Sequence, residues 1–186
     1  MKKRRNNEEI LEEISTREVV NAKKSPKDVT VACVFSCPGH EESITGEFLS
    51  GRTGDNFIKL ISILNQSLPE LFPKTDKSGY YIDNSSNHIY YENYIGKTDK
   101  RTTPYILDIK SIENVDRLKE YLSQMKIIIC FGKDAELALE QTGLQHINAL
   151  CHLGTKGLKT ISGKSLDEKI NVIAKDLVTK LNAFKQ

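Results

Sequence analysis

The stretch DVTVACVFSCPGHEESITGEFLSGRTGDNF, Asp28 to Phe57, decides the fold. Its first eight residues are mostly apolar and rich in β-branched side chains without a clean polar alternation, the pattern of a strand buried on both faces. No helix follows at once: between Val34 and Phe57 the chain spends four glycines and three glutamates before turning helical. A connection of that length between a strand and a helix is functional more often than it is a plain link. A doubly buried strand also implies parallel neighbours with helices on both sides, and such sheets hold their ligands beyond the carboxyl ends of the strands.

The flanking sequence repeats this alternation. Upstream, EEILEEISTREVV places Ile10, Leu11, Ile14 and Val19 on one helical face within a basic extension over 1–24, ahead of one domain over 25–186. Downstream, TGDNFIKLISILNQSL puts Phe57, Leu60, Ile61 and Leu64 inward, GYYIDN predicts a short strand, and SIENVDRLKEYLSQM predicts a helix with Val115, Leu118 and Leu122 inward. KIIICFG predicts a third strand, KDAELALEQTG a helix capped at Gly143, and HINALCHLG a fourth strand. Ser165 and Glu168 form a capping box opening a last helix to Phe184. The expected fold class is α/β, a three-layer α/β/α sandwich with a central four-stranded, mainly parallel sheet.

This order sets four segments on one rim: Ser36 to Gly54, Asp83 to Pro104, Gly132, and His152 to Ser162. Two of the three basic clusters, GKTDKRTT and GTKGLKTISGK, fall there; the third, KKRR, opens the chain. The net charge of +2 over 186 residues does not by itself demand a polyanionic partner. The four cysteines, Cys33, Cys37, Cys130 and Cys151, lack paired C-x2-C spacing and are expected to be free thiols, so no metal and no cofactor are expected. No apolar run reaches the roughly 18 residues a membrane span needs, and MKKRRNNEEI lacks a signal-peptide core, so a cytoplasmic protein without membrane association is expected.

From Val29 to Ile161 the rim motifs together resemble the uracil-DNA glycosylase superfamily, in particular its single-domain microbial branch without an iron–sulfur cluster. PGHEESITGEFLSGRTGDNF is similar to that family's first motif through Pro38, Gly39, Glu42, Gly46, Gly51 and Gly54. YIDNSSNHIYY looks like its second, a strand ending on a base-reading asparagine, here Asn84. MKIIICFGKDAELAL is similar to its strand-glycine-helix unit, and CHLGTKGLKTI to its closing histidine loop, with His152 in the histidine's place.

The resemblance implies a site. His152 would stabilise the negative charge that develops on a departing base, and Asn84 would read the edge of a flipped pyrimidine. Pro38, Gly39 and His40 would border the base, with Phe48 or Leu49 as the stacking face. Many relatives carry an acid or an asparagine just before the Pro-Gly to position water; here Ser36 and Cys37 stand there, and His40, Glu42 and Asp83 are the other residues available to orient it. Gly51, Arg52, Thr53, Lys97, Lys100, Arg101, Thr155 and Lys156 would meet phosphates, and Leu158 would fill the emptied stack.

The expected function is a monofunctional DNA glycosylase that flips and hydrolytically excises uracil or a related modified pyrimidine from single- or double-stranded DNA, acting as a monomer. The alternatives are a non-catalytic nucleic-acid or nucleotide-binding module on the same fold and a small-molecule nucleotide hydrolase using the same rim.

Overall fold

The computed structural model describes residues 29–88 and 103–184. The helix expected over 8–20, the rest of the 1–24 extension, and Lys97, Lys100 and Arg101 lie outside the described residues.

Four strands form one parallel sheet: β1 (Val31–Phe35), β2 (Tyr81–Asn84), β3 (Ile127–Cys130) and β4 (Ile147–Asn148), in the spatial order β2-β1-β3-β4. The helices are α1 (His40–Thr45), α2 (Arg52–Ser67), α3 (Ile106–Lys110), α4 (Ile112–Leu122), α5 (Lys133–Thr142), α6 (Thr155–Leu158) and α7 (Leu166–Phe184). The register pairs Phe35 with Asn84 and Val34 with Cys130, so the carboxyl ends of β2, β1 and β3 come level at one edge. The chain leaves β1 toward β2 on one side and returns to β3 on the other. The crevice between the carboxyl ends of β1 and β3 is therefore the switch point where open α/β sheets bind ligands.

Every residue of β1 is buried, as its continuous apolar sequence requires. Val31, Cys33 and Phe35 face one core with Ile127, Ile129 and Phe131, covered by α2 and α7. Ala32 and Val34 face a second core with Ile128 and Cys130, closed by Leu118 and Leu122 of α4 and by Ala135, Ala138 and Leu139 of α5. Phe57, Leu60, Ile61 and Leu64 of α2 are all buried, each contributing about 1.5–3 kcal/mol of apolar burial. Gly143 closes α5 in the left-handed conformation, and Ser165 Oγ accepts the Glu168 N–H at the start of α7.

Two expected elements differ. The fourth strand, expected across 146–154, is only Ile147–Asn148. Lys180 Nζ donates to the Asn148 carbonyl (2.8 Å), so a side chain takes the main-chain acceptor of the strand's last residue. The stretch Ser36 to Gly54, expected as continuous loop, contains the short helix α1, with Gly46 in the left-handed conformation at its end. No helix among the described residues is long and apolar enough to cross a membrane.

Candidate functional site

At the carboxyl edge of the sheet lies a half-open cavity of about 380 Å³, lined from all four rim segments. Its apolar part comes from the strand ends. Phe35 and Phe131 stack at 4.7 Å with their planes 4° apart, and the His152 ring meets Phe35 edge-on at 6.0 Å.

His152 Nδ1 accepts the Gly154 N–H at 2.9 Å. A ring nitrogen that accepts carries no proton, so the neutral imidazole holds its hydrogen on Nε2 and presents a donor. Burial pushes the His152 pKa down, against a smaller upward pull from the Asp134 charge. Sterics fix the loop that carries it: a Cβ on Gly157 would fall 2.0 Å from the His152 carbonyl oxygen, so only glycine fits there. Asn56 Nδ2 on α2 donates to the Leu153 carbonyl (2.7 Å) and ties the same loop to the first motif.

Asn84 is held differently. The buried Asp83 carboxylate receives Arg117 Nη1 at 2.6 Å from both oxygens, while Arg117 Nη2 donates to the Asn84 carbonyl at 2.9 Å. Asn114 binds behind them, accepting Arg117 Nη2 (2.9 Å) and donating to the carbonyls of Ser85 (2.7 Å) and Ile109 (3.0 Å). The main chain of Asn84 is thereby pinned. Its side chain, 2% exposed and lining the cavity, leaves Nδ2 with no partner among the described residues.

The wall opposite is the Glu42 staple. Glu42 Oε2 accepts the Gly39 N–H (2.7 Å) and Oε1 accepts the Leu49 N–H (2.5 Å). Burial pushes this carboxyl up, and the two backbone donors with Lys77 pull it back. Leu49 sits at φ 54°, a left-handed conformation that costs a side-chain-bearing residue about 1–3 kcal/mol. It persists because Lys77 Nζ holds its carbonyl (3.0 Å) and Gly54 packs against the same oxygen, where a Cβ would come within 1.9 Å.

Of the residues named from sequence, Ser36, Cys37, Gly39, Glu42, Leu49, Thr53, Asn84, His152, Thr155 and Lys156 line this one cavity. Others do not. Leu49, not Phe48, lines the cavity. Leu158 is buried in the core beneath α7 rather than offered to a base stack, and Asp83 is consumed by Arg117. Pro38, His40, Gly51 and Arg52 flank the site without lining it. Glu42, one of the residues available to orient water, spends both oxygens on backbone N–H groups.

Sequence reasoning missed Phe35 and Phe131, which read as core, and Lys133 and Asp134, which read as an ordinary first helical turn. The signal available for Asp134 was its position two residues past Gly132 at the carboxyl end of β3. Ser36 Oγ donates to Asp134 Oδ2 at 2.6 Å across 98 residues of sequence. Cys33, Cys130 and Cys151 are buried free thiols; burial raises Cys151 to about 11 and Cys130 to about 12, whereas Cys37 lines the cavity. Among the described residues no group of three or more His, Cys, Asp or Glu side chains is disposed to hold a metal ion. No protein-family model matches the chain, and no curated protein sequence matches it.

Proposed function

We propose that this protein is a monofunctional DNA glycosylase that hydrolytically excises uracil or a related modified pyrimidine, as its resemblance to the uracil-DNA glycosylase superfamily implies. One observation carries the reading: the buried Asn84 Nδ2, without a partner among the described residues, and the neutral His152 ring line the same cavity. Leaving a buried donor unpaired costs about 1–3 kcal/mol, so it calls for a ligand that accepts there. A flat base edge bearing carbonyl oxygens meets that need, and the Phe35 and Phe131 rings with Leu49 suit its faces. A neutral imidazole donor strengthens its hydrogen bond as negative charge develops on a base oxygen, lowering the barrier to breaking the glycosidic bond. Thr53, Thr155, Lys133 and Lys156 at the mouth suit a phosphate backbone.

The test is incubation of the protein with oligonucleotides carrying single uracil, hypoxanthine or modified-cytosine lesions, followed by alkali. Scission at a pyrimidine lesion supports the reading. The absence of a carboxylate before Pro38 and Gly39 favours a second reading, a binding module that recognises an extruded base without cutting. Retained affinity for lesion DNA without scission at any lesion would select it.

A further inference from the structure

Among the described residues two carboxylates line the cavity, Glu42 and Asp134, and they are not equivalent. Glu42 has both oxygens committed to the N–H groups of Gly39 and Leu49. Asp134 has Oδ2 bound to the Ser36 hydroxyl at 2.6 Å, and its Oδ1 has no hydrogen bond among the described residues. It stands in the first turn of α5, beside the backbone N–H groups at the helix start. Its charge acts on the His152 ring, so the two groups share one electrostatic environment. Asp83, at the end of β2, is locked to Arg117 and does not line the cavity.

We propose that Asp134, held by Ser36, is the catalytic carboxylate that orients and deprotonates the attacking water; this rests on the glycosylase reading above. The acid absent before Pro38 is supplied across the crevice, from the helix that follows β3. Water oxygen bonds to C1′ of the sugar as the C1′–N bond breaks and its electron pair leaves with the base. The water proton passes to Asp134 Oδ1 and from there to solvent. The base anion, stabilised by the His152 N–H, takes a proton from solvent, so the products are the free base and an abasic sugar. The same negative charge attracts the positive charge that builds on the sugar before water bonds.

The test is Asp134→Asn, assayed by single-turnover excision of the lesion that the parent cuts. Binding is measured to duplexes carrying a neutral tetrahydrofuran or a cationic pyrrolidine in place of the sugar. Excision is expected to fall on the order of 100-fold or more, with affinity for the neutral duplex within about threefold of the parent. Preference for the cationic duplex is expected to fall about tenfold or more. Glu140→Gln removes the same charge from an exposed position on the same helix and leaves rate and preference as they were. An Asp134→Asn variant that excises at the parental rate, or that loses affinity for both duplexes equally, overturns the assignment. A parent that excises no lesion overturns the glycosylase reading and this inference with it. The first failure is read in the variant and the second in the parent.

Discussion

Asn84 and His152 face one cavity, yet opposite kinds of force hold them. Asn84 ends a strand whose position is set by charge: Arg117 binds Asp83 twice and the Asn84 carbonyl once, in a pocket where Asp83 is wholly buried. His152 rides a loop set by shape, with Gly157 pressed against its carbonyl and its own ring accepting a backbone N–H. The first arrangement fails when a charge is lost, and the second when a methyl group is added. A site assembled from both is rigid without depending on a single interaction type, which suits a reaction that relies on preorganised donors.

The most damaging way to break this comparison is on the charged side. Arg117→Met leaves the buried Asp83 carboxylate uncompensated and is expected to destabilise the fold by about 3 kcal/mol or more, measured by urea unfolding. Adding Asp83→Asn to that variant should recover part of the loss. If Arg117→Met unfolds at the parental midpoint, the network does not carry the weight given to it.

On the steric side, His152→Ala removes the proposed donor and is expected to slow excision on the order of 100-fold, about 2.7 kcal/mol, with DNA affinity nearly intact. Gly157→Ala keeps the imidazole but forces its backbone to move, so its rate should approach that of His152→Ala while most of the fold's stability remains. Parental turnover in Gly157→Ala would mean that the loop yields without displacing the ring.

Glu42→Gln sharpens the distinction between a staple and a catalyst. An amide turns one acceptor into a donor facing a backbone N–H, so a stability loss of about 1–3 kcal/mol is expected, by the penalty for an unmade buried hydrogen bond. Lost excision at full thermal stability would return Glu42 to the chemistry.

The smallest effect is in pH. Burial lowers the His152 pKa in the folded state, so below the ordinary histidine value of about 6.5 the unfolded chain takes up the proton first. The folded form therefore loses stability relative to His152→Ala as pH falls through that value, by at most about 1.4 kcal/mol per pH unit until the folded-state pKa is reached. Unfolding free energies of the two proteins at pH 5 and 7 check the sign. A constant difference would place His152 in an environment like water.

Much of the architecture was legible because apolar period reports burial directly. β1 and β3 read as doubly buried strands and lie at the sheet centre, and α2 shows its four expected inward residues. α1 was not legible, because HEESIT is a short polar segment between glycines with no apolar face to read. Arg117 read as one more charged residue on an amphipathic helix. Phe35 and Phe131 read as core, and they are core on one side and cavity on the other.

By itself the sequence determined the parallel α/β/α layering, the rim at which a ligand would sit, and the presence there of Asn84 and His152, since each follows from local pattern and strand order. Only the tertiary structure decided that Leu49 replaces Phe48 at the wall and that Asp134 meets Ser36, and it decided between water and the loop's own backbone as the partner of Glu42. The physical reason is that a hydrogen-bonding group is defined by its partner. Ser36 and Asp134 become partners only when β1 and β3 lie side by side and bring their carboxyl ends level.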